Sequence, residues 1–520
     1  MATHQMSSAV KASRRLLTPT SVAPLKSSGH DHQQSVTRGL RLASTVSKDV
    51  RKKERIVILG SGWAGYGFAR SLDPNKFERI MISPRSYFVF TPLLAGTAVG
   101  TLEFRAVLEP VRRLGLDRFH QGWADDIDFA RKTIRVEANT SDDLASRTRL
   151  ALQHRPDGGA GKGEMFDVEY DKLVIAVGSY SQTFGIEGVR EHAHFLRDVG
   201  DARKIRMKVL QGFEKAALPI TTDEERKKLL HFAIVGGGPT GIEYAAELHD
   251  LIRDDLSKTY PNLMKFVSIT VYDVAPKVLP MFDKKLADYA MDRFKREGIQ
   301  VKTEHHLTRI RPDEDCEGCL KLKIKEYGDE EIGAGIVVWS TGLMQNPLVQ
   351  KLEGKIFQLP SATTEMQMQK DAKTGGIVTD AHLRVNMIPR AAASESAEIQ
   401  GQKATTMPDV YGIGDCTVIS ELSLPATAQV ASQQATHLAK RLNKGDVAQK
   451  PFRFRNWGTM TYLGSWTAIH QSSADELKGW MAWVLWRTAY LTRSMSIRNK
   501  ITVPFYWAMS WIFGRDISRF

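Results

Sequence analysis

Arg55-Ile56-Val57-Ile58-Leu59-Gly60-Ser61-Gly62-Trp63-Ala64-Gly65 and Phe232-Ala233-Ile234-Val235-Gly236-Gly237-Gly238-Pro239-Thr240-Gly241 share one pattern, an apolar strand-like run followed by Gly-x-Gly-x-x-Gly. In such a turn the first glycine permits the tight bend, the second lets the backbone approach a pyrophosphate, and the third lets the following helix pack closely on the strand. The helix N-terminus then points at the anion. One copy is a weak signal, but two copies 176 positions apart (236 minus 60), each in strand–turn–helix context, reinforce one another. They predict an α/β chain with two Rossmann-like dinucleotide-binding domains and chemistry that passes between two dinucleotides.

At 520 residues the chain exceeds what one hydrophobic core serves, so two or three domains are expected. Its 42% hydrophobic and 25% charged residues are those of an ordinary globular protein and exclude disorder beyond local segments. Part of the net charge of +13 sits at the start: residues 1–48 hold Lys11, Arg14, Arg15, Lys26, Arg38, Arg41 and Lys48 against the single acid Asp31. That stretch is rich in Ser and Thr and lacks the apolar run of about 7–15 residues that a secretory signal needs. It reads as a mitochondrial transit peptide cut near Ala43 or Ser44, the alternative being a basic tail with no address. Three cysteines, Cys316, Cys319 and Cys416, make no disulfide framework and suit a reducing compartment. Cys316-Glu317-Gly318-Cys319 has metal-like spacing without a second Cys or His pair nearby, so a polar turn and no metal are expected.

Residues 49–222 and 366–449 read as two parts of the first dinucleotide domain, 223–365 as the second, and 450–520 as a separate C-terminal region. Residues 138–165 form a surface insertion between two strand-like runs, and Asp223 to Lys228 a polar link. Two strands end in glycine, Leu173 to Gly178 and Ile336 to Gly342, an echo that suggests similar halves. Tyr87 to Leu94 is either a loop beside a cofactor or plain core packing. The helix from Gly241 to about Ile252 runs into a polar extension before the strand Val267 to Tyr272. Asp273 ends that strand, where an acid hydrogen-bonds an adenosine ribose diol and repels the extra phosphate of NADP. Glu243 falls in the first helical turn, either as favourable dipole placement of an acid or as a carboxylate near a nicotinamide.

With these motifs the chain resembles the type II NADH:quinone oxidoreductases, the single-chain alternative NADH dehydrogenases of respiratory membranes. The resemblance covers essentially everything after the N-terminal segment. It rests on both glycine turns, Ser83-Pro84-Arg85 with Phe90-Thr91-Pro92-Leu93-Leu94, Gly241-Ile242-Glu243, Trp339-Ser340-Thr341-Gly342, Gly412-Ile413-Gly414-Asp415 and, most specifically, Ala428-Gln429-Val430-Ala431. It implies FAD in the first unit, held by Gly60, Gly62, Gly65, Ser83, Arg85, Thr91, Ala176, Gly178, Gly414 and Asp415. It implies NADH in the second, held by Gly236, Gly238, Gly241, Asp273, Thr341 and Gly342. Glu243 and Gln429 are then the catalytic candidates, with Gln429 and Ser432 lining a quinone site. Ser432 departs from relatives that carry His there, so a histidine in quinone protonation is not supported.

Seven of the ten tryptophans (457, 466, 480, 483, 486, 507 and 511) lie beyond residue 450, which points to a change of solvent. Neither Trp480 to Trp486 nor the uncharged stretch Ile501 to Gly514 approaches the ~20 residues needed to span a bilayer. Aromatics mixed with Arg487, Arg493, Arg498, Lys500, Arg515 and Arg519 fit amphipathic helices anchoring the protein to a membrane surface, an aromatic dimer interface, or both. The resulting expectation is a non-pumping enzyme passing electrons from NADH through FAD to ubiquinone, a homodimer with no nucleic-acid partner, at the mitochondrial inner membrane. Without a D-x-[DN]-x-[DN]-G calcium loop, the matrix side is favoured. An apoptosis-inducing-factor-like flavoprotein and a sulfide:quinone oxidoreductase are the competing readings, the latter short of cysteines near the flavin.

Overall fold

The computed structural model describes residues 53–139, 163–358, 365–390, 405–472, 475–493 and 496–519, so the transit-peptide expectation lies outside the described residues. The strand Glu54–Leu59 is the centre of the first sheet because its Ile56-Val57-Ile58-Leu59 run is apolar on both faces, and all four side chains are fully buried. Burial on this scale contributes about 1.5–3 kcal/mol per side chain. Phe77–Ser83 and Lys172–Ile175 flank it in parallel, followed on one side by Arg118–Asp128 and on the other by Thr405–Gly412. Helix α1 (Trp63–Ser71) leaves the end of the central strand directly through the glycine turn.

A second, parallel sheet repeats the plan in the order His194–Phe195, Ile336–Trp339, His231–Val235, Ser268–Tyr272 and Gln300–Lys302. Its central strand, His231–Val235, is likewise buried throughout and leads into a glycine turn. The two glycine-ended strands continue into one antiparallel ribbon, Ser179–Ser181 against Leu343–Gln345, which ties the sheets together beyond Gly178 and Gly342.

Helices α2 (Val199–Ala216) and α3 (Asp223–Leu229) follow the strand His194–Phe195 and lead into the central strand of the second sheet. The sequence reading of residues 223–228 as a link is corrected here. Thr222 and Glu225 form a reciprocal capping box, and acids at the start with Arg226, Lys227 and Lys228 at the end complement the helix dipole. After the second glycine turn comes α4 (Pro239–Leu251), which passes through a π-helical stretch, Ile252–Leu256, before the next strand. Strands Thr133–Ala138 and Met165–Glu169 pair as expected, the tip of their insertion lying outside the described residues. Cys316 and Cys319 are joined to one another in the turn between Leu307–Pro312 and Leu320–Ile324, a pairing the sequence reading did not foresee.

Helix α5 (Ala428–Lys444) packs on α1, where a Cβ at Gly67 would stand 3.5 Å from that of Ala435. A three-stranded antiparallel sheet, Thr459–Tyr462, Ala468–Gln471 and Glu476–Gly479, then precedes helices α6 (Trp480–Arg493) and α7 (Ile497–Phe513). This small sheet was missed in the sequence because its strands are only four residues long and half polar.

The tightest constraint in the first glycine turn is at Gly65, where a Cβ would lie 1.9 Å from the Gly60 carbonyl oxygen. Gly65→Ala is therefore expected to destabilise by about 1–3 kcal/mol. Gly67→Ala, on the same helix with room for a methyl, should be neutral or stabilising by up to about 1 kcal/mol. Thermal midpoints of the two variants, measured side by side, check the difference.

Candidate functional site

The first glycine turn is built to approach a ligand. Gly60 has φ +103°, and a Cβ there would meet the Ala176 carbonyl oxygen at 2.4 Å, whereas one at Gly62 or Gly178 would meet no atom within 4 Å. No acid occupies the first turn of α1, so its N-terminal amides present uncompensated positive charge. The hydroxyls of Ser61 and Ser83 are bonded at 2.9 Å, and the Arg85 amide donates to Ser83 Oγ at 3.2 Å. Thr91 accepts from the Trp63 indole at 2.9 Å, fixing the loop that follows.

Arg85 Nε lies 2.8 Å from the Asp198 carboxylate, to which the Tyr87 hydroxyl also donates. Asp198 caps α2, and its neighbour Arg197 donates to Ser179 Oγ at 3.3 Å, which in turn donates to Asp415 Oδ2 at 3.3 Å. Arg197 Nη1 is buried with no protein partner. An orphaned guanidinium nitrogen beside open glycine backbone fits an anionic cofactor, and an FAD diphosphate and ribityl chain match this donor set. Burial raises the Asp415 carboxyl above its usual range, and Arg197 and the Ser179 hydroxyl oppose that rise. Gly414, at φ +80°, donates its amide to buried Gln434 Oε1 at 2.7 Å. Arg197, Asp198 and Gln434 escaped the sequence reading because they lie outside the glycine motifs; Gln434 alone carried a signal, one helical turn or so beyond Gln429.

The second turn repeats the geometry. Gly236 has φ +117°, a Cβ at Gly241 would sit 2.0 Å from the Gly236 carbonyl oxygen, and one at Gly238 would meet nothing within 4 Å. Asp273 lies beneath this turn, accepting from the amides of Gly237 and, at 2.7 Å, Ala275. Thr341 and Gly342, the latter at φ +73°, follow the neighbouring strand and lead into the linking ribbon.

Helix α4 begins at Pro239, so Glu243 is its fifth residue and not part of the first turn, which removes the helix-dipole explanation for it. Instead it is buried, accepts from the Tyr462 amide at 3.1 Å and lies 3.4 Å from the Trp486 indole nitrogen. Burial pushes this carboxyl up to about 8. The same short stretch of chain holds Gln429, whose Nε2 donates to the Gly458 carbonyl at 3.2 Å and whose Oε1 accepts from the Trp457 amide at 2.9 Å. Residues 457–462 thus touch both catalytic candidates. Ser432 lies one turn beyond Gln429's neighbours on α5 and is half-buried.

Helices α6 and α7 carry two contrasting faces. Asn499, Val503 and Trp507, four residues apart, are buried, while Ile497, Ile501, Phe505 and Met509, equally spaced, are exposed together with Trp511 and Phe513. Arg487 lies between the rings of Trp483 and Trp507, at 4.5 and 4.2 Å from their centroids. No helix of the described residues is long and apolar enough to cross a membrane. After α7, Arg515 fastens the chain back to both units: Nη1 lies 2.8 Å from Asp255 Oδ2 of the second, and Nε donates to Thr101 Oγ1 of the first at 3.0 Å.

Residues 54–435 match the pyridine nucleotide-disulphide oxidoreductase family, and residues 457–516 match the NDH2 C-terminal domain. A probable NADH dehydrogenase of Dictyostelium discoideum is 37% identical over 479 residues, covering 91% of this chain and 92% of its own. The mitochondrial internal alternative NAD(P)H-ubiquinone oxidoreductase A1 of Solanum tuberosum is 35% identical over 498 residues, covering 90% and 88%. Among solved structures, NDH2 from Plasmodium falciparum in complex with NADH is similar with a TM-score of 0.73 at 25% identity, over 90% of this chain and 100% of that one.

Arg515→Ala would leave the half-buried Asp255 carboxylate without its cation, a loss of about 1–3 kcal/mol. Expected outcomes are a lower thermal midpoint and faster proteolytic cleavage after α7, read by mass spectrometry.

Proposed function

The chain belongs to the pyridine nucleotide-disulphide oxidoreductase family and ends in an NDH2 C-terminal domain, and on that premise we propose a non-pumping NADH:ubiquinone oxidoreductase working at the mitochondrial inner membrane. FAD, when bound, supplies the redox chemistry by accepting a hydride from NADH and returning two electrons. The protein's part is alignment and exclusion of water. Gly60, Gly62 and Gly65 with the N-terminus of α1 hold the flavin dinucleotide's diphosphate, Arg85 and Arg197 add positive charge, and Asp415 accepts from its ribityl or ribose hydroxyls. Gly236, Gly238 and Gly241 hold the NADH diphosphate, Thr341 and Gly342 border it, and Asp273 selects NADH through its negative charge. Residues 49–222 and 366–449 are read as the FAD unit, which the sharing of one sheet by Glu54–Leu59, Lys172–Ile175 and Thr405–Gly412 supports, although His194–Phe195 joins the second sheet and Ile356–Phe357 the first. Residues 223–365 form the NADH unit.

The observation that carries this reading is the bridge at residues 457–462, which hydrogen-bonds Gln429 on one side and Glu243 on the other. That bridge contains the first strand of the small sheet that precedes helices with an exposed apolar face, so a quinone delivered from lipid reaches the place where the two dinucleotide units meet. The apolar face of α6 and α7 docks on the membrane surface, with basic side chains at headgroup level. A homodimer joined through the same region and a matrix-facing orientation complete the proposal. A sulfide:quinone reaction needs a reactive thiolate, whereas Cys416 is fully buried and burial pushes its thiol up to about 11. A visible spectrum of the FAD-loaded protein in liposomes tests the whole: NADH should bleach the flavin and ubiquinone should restore it at once. A reduced flavin that persists with quinone present would sink the proposal.

Two substitutions test the roles. Asp273→Asn keeps an acceptor for the Gly237 amide while removing the charge, and should raise the NADPH/NADH ratio of kcat/KM about tenfold, or ~1.4 kcal/mol; an unchanged ratio counts against Asp273. Gln429→Ala should slow flavin reoxidation by quinone about tenfold in stopped flow while leaving reduction by NADH nearly intact. Equal slowing of both half-reactions refutes the assignment.

A further inference from the structure

Glu247 is a buried acid beside the proposed site that the reading above leaves without a role. It follows Glu243 by four residues on α4, so the two carboxylates project from the same face one turn apart. Glu243 is 8% exposed and Glu247 7%. Both line one cavity of about 10 Å³, together with Gly96, Thr101, Tyr462 and Trp486. That is roughly the space for one water molecule.

The surroundings of the two acids differ. Glu247 Oε2 accepts from Thr101 Oγ1 at 2.8 Å, and Arg515 of the C-terminal tail and Arg487 of α6 favour its charge. Asp250, on α4 itself, opposes it, as does the Tyr462 phenol were it to ionise. Facing Glu243 are the Tyr462 amide, the Trp486 indole and the Tyr490 phenol, none of them a cation. Two carboxylates in one enclosure shielded from bulk solvent do not both ionise readily; the proton settles on the one without cations while the other carries the charge.

We propose that Glu247 is the proton-sharing partner of Glu243: a water in the cavity links the two carboxyls, and the pair stores one proton for quinone reduction. The inference rests on the reductase reading. NADH gives up a hydride, which carries two electrons and one proton, whereas a quinone becoming a quinol takes two electrons and two protons. The missing proton comes from solvent, and the pair holds it: one carboxylic O–H bond breaks when the proton is given up and forms again on reloading. Glu247 is a positioning residue in this arrangement, acting through Glu243. Burial raises both carboxyls, Glu243 to about 8, consistent with a proton retained at neutral pH. Since the protonated pair is the competent form, turnover should fall as pH rises through about 8.

The test is pH-difference infrared spectroscopy on the FAD-loaded protein without NADH or quinone, following the carbonyl stretch of a protonated carboxylic acid. In Glu247→Gln the negative neighbour is gone, so the titration midpoint of the Glu243 band should fall by about one pH unit or more, and the alkaline limb of quinone turnover should move down with it. Glutamine keeps an acceptor for Thr101; should it not fold, Glu247→Met, of similar volume, gives the same reading. A midpoint unchanged from the wild type in the folded variant would overturn the proposal. Because the infrared titration involves neither substrate, its failure leaves the reductase reading standing, whereas absence of quinone turnover in the wild type would fail that reading.

Discussion

In each dinucleotide unit a helix approaches the glycine turn it springs from more closely than any side chain would allow, and the rest of the site depends on those two contacts. At Gly65 and Gly241 a side chain would begin 1.9 and 2.0 Å from the carbonyl oxygens of Gly60 and Gly236, so only a hydrogen fits. Those two contacts seat α1 and α4 with their amides at the ends of the central strands. Everything that gathers there, from Asp273 beneath the second turn to the Arg197–Ser179–Asp415 chain beside the first, is arranged around backbone that no side chain covers.

Two such cradles on separate sheets do not by themselves make an electron path. The antiparallel ribbon beyond Gly178 and Gly342 joins the units on one side, and residues 457–462 close the other by binding Glu243 and Gln429. Arg515 then returns from the far end of α7 to Thr101 and Asp255, so the C-terminal region is held at both its start and its end. A segment whose outer helices expose apolar side chains is in this way an integral wall of the site, and its packing sets the environment of the buried acids on α4.

The fold was largely legible because its signals are local: glycine turns, apolar strand runs, and the aromatic and basic composition of the tail. The helix at Asp223–Leu229 was hidden by its polarity, although its Thr222-x-x-Glu225 capping box is a local signal that could have found it. The small sheet of residues 459–479 had no such signal, since its four-residue strands gain their order from pairing with one another. Of the site, the glycines and Asp273 follow from position in a motif, while Arg197, Asp198 and Gln434 do not. Their roles arise from what the folded chain places opposite them.

Sequence alone determined the two dinucleotide cradles, the acid at the end of the second unit's strand and the amphipathic tail, because each is written within one stretch of chain whose backbone conformation it dictates. Tertiary structure alone decided that Glu243 lies against Tyr462 and Trp486, more than 200 positions away, and shares an enclosure with Glu247. The physical reason is that the ionisation of a carboxyl depends on the water, charges and donors that surround it, and for a buried group those come from elements far apart in the chain.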